Sequence, residues 1–321
     1  MTEVSPEAVN ALKVLRRGRG LAEVGLGRDP GPLLRDYCRV EESDLPAEVQ
    51  RKLADWMRSA SELWPRDVRD AFLVAYGLHE DAQQRFLTDR MEWAAVNLVG
   101  RDPRTLERWV VEAIRLLARS IEGGSGSENG VDGAVAAVWR TSELRVCLSL
   151  DLPVPEAFET RRIVAESAVV TELDLAISVP AGSDGVLRDD ARGFELDVFY
   201  GGRLAGLAME SSDRYGLRLR LSKPLRAGES HEYGLRYRAE MAHPHYVCVP
   251  RYPCDSFELR VRFGANRPEY VRRLDGAFQN DSTDPTAIGC EVLLDACGEL
   301  CVGFSDLKPG FAYGVKWARL G

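Results

Sequence analysis

The sequence predicts an α+β protein of two domains, and three observations carry that prediction. Apolar residues recur every three to four positions over 1–122, as on a helix face, and every second position in much of 135–321, as on a strand with one buried face. Between the two stretches the composition changes abruptly to Gly, Ser and acidic residues, EGGSGSENGVDG over 122–133. The expected organisation is an all-α bundle over 1–122, a flexible linker over 123–134 and a β-sandwich over 135–321.

Six helices are expected in the first part. Ser5-Pro6-Glu7 opens one with a capping hydroxyl, a proline in the first turn and an acid, and Gly18 and Gly20 stop it. Asp29-Pro30-Gly31-Pro32 begins a second helix that runs to about Cys38, and Asp44-Leu45-Pro46 a third that reaches Leu63. Pro65 opens a fourth, closed by Gly77; the fifth spans about Asp81 to Val99 and ends at Gly100. Asp102 caps the sixth and Pro103 occupies its first turn. Winding that helix at 3.6 residues per turn puts Leu106, Val110, Ala113 and Leu117 on one side, with Arg104, Arg108, Arg115 and Arg119 on the other.

The second part reads as strands. Leu144, Val146, Leu148 and Leu150 alternate with polar residues, as do Leu173, Leu175 and Ile177, and Phe257, Leu259, Val261 and Phe263. Further strands are expected at 195–200, 215–221, 232–238, 290–294, 299–304 and 312–317, the turns between them marked by Gly201-Gly202, Ala227-Gly228 and Pro309-Gly310.

The totals exclude several classes. Among 321 residues no apolar run approaches the roughly 20 needed to cross a bilayer. The start, MTEVSPEAVN, lacks the basic and apolar regions of a secretory signal, so a cytoplasmic protein with no membrane partner is expected. A net charge of -8 argues against coating nucleic acid by bulk attraction, although a local patch could still contact it. Seven cysteines, an odd number, point to reduced thiols rather than a disulfide framework.

No stretch carries a reaction signature: there is no Gly-rich phosphate loop, no G-x-S-x-G elbow and no His-Glu-x-x-His. The expectation is therefore a protein that is not an enzyme and uses no cofactor. His243, His245, Cys248 and Cys254 form the densest set of metal-ligand types, but their spacing matches no common zinc site, and buried small hydrophobes account for the thiols.

Three resemblances sharpen these expectations. The helix pair around Gly100 resembles the helix-turn-helix of sigma-factor region 4, in which the second helix begins near an Arg-Thr pair, as Arg104-Thr105 does here. It implies that Arg101, Arg104, Thr105 and Arg108 approach a major groove while Arg115 and Arg119 meet phosphates. The segment Leu307 to Tyr313 resembles the tyrosine corner of immunoglobulin and fibronectin type III domains, which implies an immunoglobulin-like sandwich. The whole chain resembles a set of proteins of GC-rich actinobacteria with no assigned activity, through LRRGRGL, DPRTLERWVVEAIRLL, PLRAGESHEYGLRY and PHYVCVPRYPC; its members look like helix-turn-helix regulators joined to a β-rich sensor.

The functional expectation is a non-enzymatic regulatory protein whose helical domain contacts DNA or the transcription machinery and whose sandwich recognises a ligand or protein. The alternatives are a protein-interaction adaptor without DNA binding, in which the arginine stripe meets an acidic surface, and a zinc-containing structural module.

Overall fold

The computed structural model describes residues 6–22, 30–82, 84–124, 138–166, 169–178, 194–211, 214–241, 243–284 and 289–318. Two compact units divide the chain, one over Thr2–Val135 and the other over Ala136–Gly321. The expected linker lies, from residue 125 onward, outside the described residues.

In the first unit the elements are α1 (Pro6–Leu15), a 3-10 turn (Gly20–Ala22), α2 (Pro32–Tyr37), α3 (Pro46–Ser61), α4 (Arg66–Ala75), α5 (Leu87–Ala94), a π-helical turn (Ala95–Val99) and α6 (Pro103–Gly124). Local chemistry sets several of their starts. Asp102 Oδ1 accepts the Arg104 N–H at 2.8 Å, and Glu48 accepts the Leu45 N–H at 2.9 Å ahead of α3. The core is built on Leu12, Leu53, Met57, Phe72, Tyr76, Leu106 and Ile114, all fully buried.

One charged residue stands among them. Arg90 of α5 has no exposed surface. Its Nε donates to Val74 O at 3.0 Å, its Nη1 to Gly18 O at 2.7 Å and to Gln84 O and Arg85 O at 3.1 Å, and its Nη2 to Arg16 O at 3.0 Å and Ala75 O at 2.9 Å. Four of these carbonyls lie at or just past the ends of α1 and α4, where helix dipoles concentrate negative charge. This cage also explains why α5 starts at Leu87 and not near Asp81: the Gln84 and Arg85 carbonyls serve the guanidinium instead of a helical ladder.

The second unit holds thirteen strands among the described residues: β1 (Trp139–Ser149), β2 (Glu156–Ala165), β3 (Val170–Ser178), β4 (Phe194–Tyr200), β5 (Gly202–Ser211), β6 (Arg214–Leu225), β7 (Ser230–Ala239), β8 (His245–Cys248), β9 (Cys254–Arg262), β10 (Val271–Ala277), β11 (Cys290–Glu291), β12 (Glu299–Leu307) and β13 (Ala312–Trp317), with a short α7 (Gln279–Thr283). They form a six-stranded sheet in the order β12-β9-β1-β2-β7-β4, a four-stranded sheet β11-β10-β13-β8 and a three-stranded sheet β3-β6-β5.

The expected fold class needs correction on these grounds. Strand outweighs helix, 39% against 31%, so the chain is predominantly β and not an all-α bundle joined to an immunoglobulin-like sandwich. The helices are mostly short pieces interrupted by 3-10 and π turns rather than the long, regular rods of a bundle. The strands make three sheets, not two, and β1 runs parallel to β9, a pairing foreign to an antiparallel sandwich. The bond that suggested the sandwich is nonetheless present: Tyr313 Oη accepts the Lys308 N–H at 2.9 Å. It closes a local turn at the entry to β13 and does not dictate how the sheets are assembled. The strands expected at 290–294 and 299–304 do not pair with each other: β11 pairs with β10 and β12 with β9.

Alternation positions the core of this unit. Leu144, Val146, Leu148, Phe257, Leu259, Val261, Leu300, Val302 and Phe304 lie on one face of the six-stranded sheet and are buried. Rings from the four-stranded sheet meet that face, with Phe263 edge-on to Trp317 at 5.4 Å and Phe304 to Tyr313 at 6.0 Å.

Candidate interaction surfaces

The stripe on α6 takes shape from its periodicity. Leu106, Val110, Ala113, Leu117 and Ile121 are at most 3% exposed, while Arg104, Arg115 and Arg119 on the opposite flank are exposed. Arg101, Thr105 and Arg108 are only half-exposed, and the Arg108 Nε is shut away from solvent. Arg115 is ion-paired with Glu112, three residues back, and Glu107 stands exposed on the same helix.

The expected helix-turn-helix and DNA-binding surface are corrected by this geometry. The first helix of the pair is cut to Leu87–Ala94 by the Arg90 cage and runs on as a π turn, so the lead-in to Gly100 differs from a helix-turn-helix. Gly100 turns the corner at φ +63°, a left-handed conformation that favours glycine. The guanidinium groups do not form one open row, since Arg108 is only half-exposed with its Nε buried, and Arg115 is paired with Glu112. A transcription role resting on that row has no support in the fold. What the corner does offer is Val96, 80% exposed on the π turn, a few residues ahead of Arg101 and Arg104.

Within the β unit, a polar cluster lies under the six-stranded sheet. Glu159 and Arg161, two residues apart on β2, both point into the core, and Glu159 Oε1 accepts from Arg161 Nε at 3.0 Å and Nη2 at 2.9 Å. Burial by itself would lower the proton affinity of Arg161; the Glu159 carboxylate, together with Tyr233, Cys248 and Cys254, outweighs it, so the guanidinium is held well above its ordinary pKa. Tyr233, fully buried, lies close to Arg161, and Tyr237 and Tyr246 share a hydroxyl contact nearby.

The weak metal candidates are divided by this cluster. Cys248 and Cys254 lie in the electrostatic range of Arg161, and burial pushes the Cys254 thiol up to about 11. His243 and His245 stack on each other at 6.0 Å. On β8, His245 and Cys248 are three residues apart and so face opposite sides of the sheet. Among the described residues no three His, Cys, Asp or Glu side chains converge as a metal site.

The solvent face of the six-stranded sheet was not singled out by the sequence. It carries Arg145, Arg162, Arg236, Arg238, Arg260 and Arg262, interleaved with carboxylates: Arg236 meets Asp197 at 2.7 Å, Arg238 meets Glu156 at 2.8 Å and Arg162 meets Glu232 at 3.0 Å. At its β4 edge Phe199, 58% exposed, packs edge-on against Phe158 at 5.2 Å with the Arg236 guanidinium 5.5 Å from its ring centre. Only the pairing register brings these residues together, which is why period alone could not find them.

No helix among the described residues is long and apolar enough to cross a membrane. No protein-family model and no curated protein matches the chain. Among solved structures it is similar to a two-domain M1 zinc metallopeptidase bound to L-tryptophan, at 10% identity over 57% of this chain and 40% of that one, with a TM-score of 0.27. It is similar also to the M1 zinc metallopeptidase of Deinococcus radiodurans, at 10% identity over 57% and 39%, with a TM-score of 0.26. The chain spans about two fifths of the length of either, and no functional residue carries over from them.

Proposed function

We propose that this protein is a non-enzymatic protein-interaction adaptor, located in the cytoplasm, whose helical unit takes an acidic protein surface. The observation that carries the reading is the asymmetry of α6: one flank at most 3% exposed, the other presenting Arg104, Arg115 and Arg119 with Glu107 and Glu112 set between them. Interleaved carboxylates repel a continuous phosphate backbone, whereas a protein surface can answer both signs and set register by doing so. Val96 adds an exposed apolar contact next to that flank, and arginine beside a desolvated apolar group is a common source of binding energy. The Phe158–Phe199–Arg236 edge of the six-stranded sheet supplies the second unit with an aromatic and arginine surface of the same kind. Seven free thiols suit a reducing compartment.

The test is affinity capture with the full chain after nuclease treatment, comparing wild type with the double variant Arg104→Glu, Arg119→Glu. One stoichiometric protein partner is expected on the wild type, with capture lost in a variant whose melting temperature is unchanged. Equal recovery by both would refute the role of the α6 flank.

A further inference from the structure

Three exposed residues stand in one row across the six-stranded sheet. Arg260 on β9 is paired in register with Cys147 on β1 and with Cys301 on β12, so all three side chains leave the same face. Both thiols are free and exposed, and both lie within electrostatic reach of the Arg260 guanidinium. The row forms the floor of a groove of about 460 Å³, whose walls include Arg262, Asp295, Glu299 and the side chain of Leu293, 84% exposed. That volume falls in the range of small-molecule sites.

We propose that this groove is a thiol-modification site, in which Cys147 or Cys301 forms a mixed disulfide with a low-molecular-weight peptide thiol carrying both carboxylate and ammonium groups. Reactive cysteines occupy partly exposed positions beside a cationic side chain, and Arg260 stands between these two in the strand register. The mixed charges of the walls match a zwitterion: Arg260 and Arg262, each paired through Nε with one carboxylate of the protein, Glu258 and Asp151, keep further donors for a ligand carboxylate, and Asp295 and Glu299 can meet an ammonium. Arg260 also bonds Glu258 at 2.9 Å, which holds the guanidinium in place over the strand.

In the reaction a groove thiol loses its proton and its thiolate attacks one sulfur of the peptide disulfide. The disulfide S–S bond breaks and a new S–S bond joins the protein to one half. The other half leaves as a thiolate and takes up a proton, so the protein thiol is oxidised and half of the peptide disulfide is reduced. The two protein thiols cannot close on each other instead. They sit two strand spacings apart, about 10 Å between Cα atoms, beyond the roughly 7 Å that a disulfide can span. The adduct is therefore not resolved internally and persists until an external thiol removes it.

The experiment exposes the full chain to oxidised glutathione and follows each cysteine by peptide mass, with the exposed Cys290 and Cys297 as controls in the same molecule. Adducts at Cys147 or Cys301 are expected to form about fivefold faster than at the controls, and Arg260→Gln to slow them about threefold while leaving the controls unchanged. Equal rates at all four cysteines, or groove rates indifferent to Arg260→Gln, would overturn the proposal. So would a Cys147–Cys301 disulfide.

Discussion

Among the described residues each unit buries one arginine, and the two are accommodated in opposite ways. Arg90 in the helical unit faces backbone carbonyls from three stretches of chain, at Arg16 and Gly18, Val74 and Ala75, and Gln84 and Arg85. Arg161 in the β unit faces the carboxylate of Glu159, its neighbour but one on the same strand. Helices end in unsatisfied carbonyls, and a planar guanidinium with five donors can collect several such ends at once. Sheets have no such ends to collect, because the ladder uses their carbonyls, and a buried cation there needs a carboxylate. The first arrangement holds distant segments together; the second satisfies a charge without joining anything far apart in sequence.

The largest effect should come from breaking the first arrangement. Arg90→Met leaves the carbonyls of several segments buried without donors and is expected to cost about 5 kcal/mol, enough to exhaust a typical domain. Amide exchange on the full chain would localise the loss to residues 6–124, with strands of the β unit still protected. Loss of less than about 1 kcal/mol would show that solvent replaces the guanidinium without difficulty.

Arg161→Met should cost less, about 3 kcal/mol, because one carboxylate rather than several carbonyls is left buried and unpaired. The distinguishing result is its rescue. Adding Glu159→Leu removes the stranded charge, and the double variant should return to within about 1 kcal/mol of wild type. No single second substitution could rescue Arg90→Met, since its acceptors belong to the backbone. Thermal unfolding of the two single variants and the Arg161 double variant would decide the point; failure of the double variant to recover would mean that Arg161 serves the nearby tyrosines more than Glu159.

The same contrast shows what the sequence could and could not reveal. The α6 stripe was legible because helix period alone places Leu106, Val110, Ala113 and Leu117 together, and the cap was legible because Asp102 bonds a backbone N–H only two residues away. Arg90 was not, because pattern reading assigns an arginine to the solvated side, and its partners at Arg16 and Gly18 are more than seventy residues distant. The strand segments around Leu144 and Phe257 were legible as strands by their alternation, but their parallel pairing depends on contacts across 113 residues. That hidden register also concealed the Cys147–Arg260–Cys301 row, whose members look unrelated in the chain. The tyrosine corner misled in the opposite direction: its one bond is real and local, and a local bond does not determine sheet order.

Tyr76 provides a neutral counterpart to Arg90 in the same unit. Its hydroxyl donates to Leu12 O at 3.0 Å, joining the end of α4 to α1 without any charge. Tyr76→Phe should cost about 1 kcal/mol, the net value of one buried hydrogen bond. If denaturant unfolding instead gave a loss comparable to that of Arg90→Met, tethering of α1, and not the buried cation, would dominate the unit's stability.

Lys52 combines both modes at the surface, and it predicts the smallest effect. Its Nζ donates to Arg39 O at 2.8 Å and to Asp44 Oδ2 at 2.6 Å. The Lys52 bond, aided by the Glu41 N–H, holds the Asp44 carboxyl below its usual value near 3.8. A carboxylate depressed in this way contributes stability that is present above its unfolded pKa and is lost as pH falls through the lower folded value. Asp44→Asn should therefore lower the melting temperature slightly at pH 7, and the gap to wild type should close in acid, once both chains carry a neutral group there. The carbonyl of Arg39 keeps Lys52 partnered throughout, which is why the step is small. A gap that stayed constant from pH 7 down to pH 2 would show that Asp44 acts through its geometry ahead of α3 and not through its charge on Lys52.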